Sequence, residues 1–89
     1  MEQREVHYSG SVQGVGFRYT VRSLASGMAV TGFVRNLPDG SVQLVVEGEP
    51  AEIKLFLKSI MAEMGHYVSR VDEQARPASR HFGGFEIRF

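Results

Sequence analysis

Two stretches of helical periodicity bracket a pair of alternating segments, and this order narrows the architectures open to the chain. Phe17, Val21, Leu24, Ala25 and Met28 fall at i, i+4, i+7, i+8 and i+11, one face of an amphipathic helix. Ile53, Phe56, Leu57, Ile60, Met61 and Met64 trace a second such face, opened by Pro50 and closed by Gly65. Between them, Val30 to Asn36 and Ser41 to Glu47 alternate with the period of strands; Val30, Gly32 and Val34 share one side, Phe33 and Arg35 the other. Leu37-Pro38-Asp39-Gly40 joins the two as a hairpin turn, because proline presets its φ at about −65° and glycine accepts a positive φ. Val6, Tyr8, Gly10 and Val12 alternate with His7, Ser9 and Ser11 as a first strand. Val68 to Glu73 is a further strand, and Phe85, Ile87 and Phe89 alternate in a last one. Gln74 to Gly83, polar and carrying Pro77, reads as a loop. The order β-α-β-β-α-β-β leaves two helices that each need one apolar face covered. An antiparallel sheet with both helices packed on one face meets that need, which is the α+β, ferredoxin-like split β-α-β sandwich. The fold hosts many functions and supplies none by itself.

Eighty-nine residues are expected to form one domain, 1–89, and a hydrophobic share of 43% with six Phe and three Tyr can fill its core. No stretch approaches the ~20 apolar residues of a membrane span, and the charged start Met1-Glu2-Gln3-Arg4-Glu5 does not lead into a signal peptide. The absence of cysteine removes disulfide frameworks, zinc knuckles and thiol nucleophiles together. These features point to a small, soluble, cytoplasmic domain. A monomer is expected, since no surplus apolar face is evident. Beginning with Met1 and ending in a strand, the chain reads most simply as a complete small protein. Net charge is zero, which argues against a nucleic-acid binder driven by bulk charge. The charge is uneven, however: from Val6 to Pro38 there is no Asp or Glu, only Arg18, Arg22 and Arg35. A local positive patch suits a small anionic ligand.

The run Gly10-Ser11-Val12-Gln13-Gly14-Val15-Gly16-Phe17-Arg18 lies where the first strand meets the first helix. Two glycines one residue apart let consecutive N–H groups turn inward as an anion-binding nest, and the helix adds its own unpaired N–H groups. Arg18 sits in the first helical turn, where a cation opposes the helix dipole by about 0.3–1 kcal/mol. A bound anion turns that cost into attraction, and a guanidinium can hold a phosphate through two parallel hydrogen bonds. A Walker loop is excluded because Phe17-Arg18 follows Gly16 in place of Lys-Ser/Thr, and a dinucleotide fingerprint because Tyr19 replaces its third glycine. Asn36, read from spacing alone, serves equally as a water-positioning amide or as the residue that begins the turn toward Pro38. His7, His66 and His81 lack the spacing of metal ligands, Ser9, Ser11 and Ser23 lack triad partners, and Met28, Met61 and Met64 read as core.

Val12-Gln13-Gly14-Val15-Gly16-Phe17-Arg18, followed by Gly32-Phe33-Val34-Arg35-Asn36, Asp39-Gly40 and Glu47-Gly48, closely resembles the acylphosphatase family across nearly the whole chain. The resemblance implies hydrolysis of acyl phosphates to a carboxylate and inorganic phosphate, without metal or cofactor. It implies a small-molecule acyl phosphate as partner, phosphate as product or inhibitor, and neither nucleic acid nor membrane. Arg18 matches the family's phosphate-binding arginine. The phosphate loop matches Gln13, Gly14, Val15, Gly16, Phe17 and Arg18, with the N–H groups of Val15 to Arg18 as its cradle. Asn36 matches the asparagine that positions the attacking water. The chemistry agrees with the residues: a site with no carboxylate or thiol supplies positioning and charge stabilisation, which suffice for phosphoryl transfer from a good leaving group.

Two departures stand out. Ser11 occupies a position that is usually basic in the family. Met28-Ala29-Val30 replaces a Leu-Gly-Leu pattern, so a positive φ at Ala29 would cost about 1–2 kcal/mol, with Gly27 marking a shifted helix end. Two further readings stay open at this stage: an acylphosphatase-like domain of a larger carbamoyl-phosphate-handling protein, and a non-catalytic anion- or nucleic-acid-binding module on the same fold.

Overall fold

A computed structural model describes all residues from Met1 to Phe89. The alternating and helical segments become β1 (Glu2–Gly10), α1 (Phe17–Ser26), β2 (Thr31–Asn36), β3 (Val42–Gly48), α2 (Pro50–Met64), β4 (Val68–Pro77) and β5 (Phe85–Arg88). The strands form one sheet in the order β4-β1-β3-β2-β5. Val6 and Tyr8 of β1, Val34 of β2 and Val42, Leu44 and Val46 of β3 point to the same side. There they pack with Phe17, Val21 and Ala25 of α1 and Ile53, Phe56, Ile60 and Met64 of α2 in one continuous core. The α+β class and the two-helix layer on a single face therefore follow from the spacing of the apolar residues.

Three details differ from the sequence expectation, and a fourth follows the alternative it gave for the end of α1. The sheet is mixed, because β5 pairs with β2 in parallel while the other pairings are antiparallel. β4 extends through Gln74 to Pro77, whose residues pair with β1 from Glu2 to Glu5 although their side chains are exposed. Met61 is 40% exposed, since it flanks the face that Ile60 and Met64 press onto the sheet. Ala29 carries no positive φ, because α1 ends earlier, with Gly27 as its cap at φ −98°.

The parallel pairing of β5 has a topological cause. β4 and β5 occupy opposite edges, so residues 78–84 must cross the sheet, and they do so on the face away from the helices. Phe82 lies 5.9 Å from Phe33, between ring centroids, on that outer face, and Arg88 stacks 4.0 Å over the Phe33 ring. The crossing is fastened by Glu47, a buried carboxylate of the central strand. It accepts the Ser79 N–H (2.7 Å), the Ser79 hydroxyl (2.7 Å), the Arg80 N–H (2.8 Å) and the Gln3 amide (2.6 Å). Arg80 adopts φ 61°, which aims its N–H and that of Ser79 at one carboxylate.

Burial alone would raise the Glu47 pKa, but these donated hydrogen bonds outweigh it and bring the group down to about 2 from the 4.5 of a free glutamate. A depressed folded-state pKa contributes stability that is present above the unfolded value and is lost as pH falls through the folded one. Between pH 5 and 2, Glu47 should therefore cost the fold about 3 kcal/mol of stability. Urea unfolding at a series of pH values checks this. The wild-type curve should drop more steeply across that window than that of Glu47→Gln, and parallel curves would reject the assignment.

Candidate active site

β1 and β2 both pair antiparallel with β3, so they run parallel to one another and present their carboxyl ends at the same edge of the core. β5, parallel to β2, ends there as well. The loop 11–16 leaves β1 at this end and turns directly into α1. Val12 is fully buried beneath it, and the Phe17 ring packs 5.0 Å from Tyr8, which fixes the start of the helix on the sheet.

Gly14 and Gly16 adopt φ 77° and 79°. A side chain on either would meet nothing within 4 Å, so glycine is needed here for backbone direction and not for space. Gly16 caps α1 without any side-chain acceptor, and the first helical bond is Thr20 N–H to Gly16 O at 3.0 Å. As a result, the consecutive N–H groups from Gln13 to Tyr19 donate to no protein acceptor. The first turn of the helix carries no acidic residue. Arg18 forms no ion pair; its guanidinium lies 4.9 Å from the centroid of the Phe89 ring.

Asn36 closes β2 on the helix-bearing side, in alternation with Gly32 and Val34. Its Oδ1 is buried and receives no hydrogen bond. The turn that follows is built without it. Asp39 Oδ1 accepts from the Ser41 hydroxyl (2.6 Å) and N–H (2.9 Å), bonds that hold its carboxyl below the usual range. Leu37 N–H donates to Ser41 O at 2.9 Å. The Asn36 side chain thus makes none of the hydrogen bonds that close this turn.

The loop and the turn are joined by a contact that local pattern does not reveal. The Gln13 amide donates to Leu37 O and to Ser41 O, both at 2.9 Å. The sequence singled out Gln13 for its backbone; its side chain ties the glycine loop to the segment that carries Asn36. The acceptors are backbone carbonyls 24 and 28 residues away, so no motif spells this strap. The arginine trio is divided. Arg35 lies on the outer face, donating to Gln43 at 2.6 Å, while Arg18 and Arg22 remain together on α1. The histidines are apart from one another: His7 bonds Glu5 at 2.9 Å, His66 stacks on Tyr67, and His81 lies in the crossing segment.

The arrangement offers a cluster of N–H donors and a guanidinium to an anion, beside an amide oxygen that needs a donor. The Acylphosphatase family model matches residues 4–87. An acylphosphatase of Lactobacillus johnsonii is 36% identical over 89 residues, covering 98% of each chain. The crystal structure of acylphosphatase from Bacillus subtilis superposes with a TM-score of 0.90 at 26% identity, covering the whole of both chains. HypF of T. kodakarensis superposes with a TM-score of 0.84 at 27% identity, and the match spans 12% of that longer chain. The family match over nearly the whole chain, the relatives' identity and the shared fold agree, and the chain belongs to the acylphosphatase family.

Proposed function

We propose that the chain hydrolyses the carboxyl-phosphate bond of acyl phosphates, without a metal ion. The reading rests on one observation above all: the run of N–H groups from Gln13 to Tyr19 without protein acceptors, beside a guanidinium without a carboxylate. Such donors, fixed before the substrate arrives, stabilise the phosphoryl oxygens where charge develops and cost little reorganisation during the reaction. Arg18 adds a bidentate contact to the same group. Asn36 Oδ1, buried and without a donor, accepts a hydrogen bond from the attacking water and holds it in line with the phosphorus. The new bond forms from the water oxygen to phosphorus. The phosphorus–oxygen bond to the acyl group breaks with its electron pair, which leaves on the carboxylate. The proton of the water passes to a phosphate oxygen or to solvent. A carboxylate is a good leaving group, so a loose transition state needs positioning and charge and no strong base.

The likeness to part of HypF favours a second context for the same chemistry, in which this fold serves as one domain of a larger protein. The test is phosphate release from benzoyl phosphate by the purified chain in the presence of a chelator, with inorganic phosphate as competitor. Turnover with competitive inhibition is expected. A folded chain without turnover overturns the proposal and leaves an anion-binding module in its place.

A further inference from the structure

Arg22 is the one member of the positive segment on α1 that the proposed hydrolysis does not use. It lies one helical turn beyond Arg18 and, like it, forms no ion pair. Its guanidinium sits 5.7 Å from the Tyr19 ring centroid, in the attractive range for a cation over an aromatic face. With Tyr19, Ser23, Ser26 and Phe85 it lines an open groove of about 410 Å³ between α1 and β5. The two elements set the direction of that groove. Arg18 meets Phe89 at the end of β5, and Phe85 begins the strand beside the lower turns of the helix. A molecule held by its phosphate at the start of α1 therefore has a path along the groove toward Arg22. No acidic side chain lines it.

We infer that this groove is the subsite for the acyl group and that Arg22 selects acyl groups bearing a second, distal carboxylate. The inference rests on the proposed acyl-phosphate hydrolysis. Arg18 and Arg22 are separated along the helix by a rise of about 6 Å, and their long, flexible side chains can splay to cover the somewhat greater span from phosphorus to the distal carboxyl of a para-substituted benzoyl phosphate. Phosphate on Arg18 and carboxylate on Arg22 then occupy the two cations at once, with the intervening carbon frame against Tyr19. Arg22 is a specificity-determining residue in this account and takes no part in the bond-breaking step.

The test compares benzoyl phosphate, 4-carboxybenzoyl phosphate and the neutral 4-methoxycarbonyl analogue on the full chain. The two para substituents differ in charge and in electron withdrawal, so the decisive readout is the ratio of their KM values in the wild type against the same ratio in Arg22→Gln, in which leaving-group strength cancels. For the wild type, KM for the carboxylated substrate should be about fivefold below that of the ester, the scale of an exposed ion pair. That preference should vanish in Arg22→Gln, survive in part in Arg22→Lys, and fade at about 1 M salt, where the Debye length shrinks to ~3 Å. The kcat ratio should change little between wild type and Arg22→Gln. Equal KM ratios in wild type and Arg22→Gln overturn the subsite while leaving the hydrolysis standing. Absence of turnover with every substrate overturns the hydrolysis, and this inference with it.

Discussion

Arg18→Ala should lower kcat/KM for benzoyl phosphate about a thousandfold, and Asn36→Ala should lower kcat by about a hundredfold or more. These are the scales seen when a charged or polar group that stabilises a phosphoryl or oxyanion transition state is removed. The two losses should divide differently. In the proposed reaction Arg18 holds the phosphate in both ground and transition states, so its loss should raise KM as well as lower kcat. Asn36 is proposed to hold the water and not the substrate, so KM should stay near the wild-type value in Asn36→Ala. Stability supplies a second readout. Asn36 Oδ1 accepts no hydrogen bond from the protein, so Asn36→Ala should unfold at a Tm near that of the wild type while its activity collapses. Steady-state kinetics beside thermal unfolding of both variants checks the pair. Activity within fivefold of wild type in Asn36→Ala would remove Asn36 from the mechanism.

Gly32→Ala should be the most destabilising single-methyl addition in the chain. Gly32 adopts φ 137°, a region nearly closed to other residues, and its N–H donates to Gly84 O at 2.9 Å. An added Cβ would collide with the backbone carbonyl of Val45 on the neighbouring strand, which cannot move aside as a flexible side chain would. The strain and the clash together should cost about 4 kcal/mol or more, close to the lower end of a small domain's whole stability. At about 4–8 °C per kcal/mol for a domain of this size, the Tm should fall by roughly 15 °C or more. Gly14→Ala is the control. Its Cβ meets no atom within 4 Å, so its cost is the φ penalty alone, about 1–2 kcal/mol. A Gly32→Ala Tm within about 5 °C of wild type would mean that the β2–β3 contact relaxes easily.

Why some of this was legible beforehand and some was not comes down to range. The helix faces and β2–β3 could be read because their apolar residues are spaced by the element's own period, and the hairpin closes locally. The glycine loop could be read because its conformation demands a residue type. β4 beyond Glu73 could not. As an edge strand exposed on both faces it needs no alternation, and its place is set by backbone pairing with β1 and by charged pairs such as Arg4 with Glu73 and Arg76 with Glu5. The parallel course of β5 depends on where the crossing segment is fastened, and Glu47 finds its donors 32 and 33 residues further along. Within the site, Arg18 and Asn36 were marked by motif. The Gln13 strap was hidden, because a glutamine reaching two carbonyls of a distant turn leaves no local signature.

The glycine loop presents its donors from the main chain, and this decides what kind of change can reach them. Exchanging Val15 for another residue alters a side chain and leaves every N–H where it was. Substitution at Val15 is therefore nearly blind to these donors, whereas Gln13, Gly14, Gly16 and Phe17 each hold the loop in place through a strap, a backbone conformation or a core contact. What the loop cannot tolerate is a change in the peptide link itself. Replacing single amides by esters between residues 13 and 18, in a chemically assembled chain, deletes donors one at a time and would apportion the proposed phosphate binding among them. In the proposed reading, the loop's share of anion recognition resides in torsion angles, and Arg18 adds the one side chain to it.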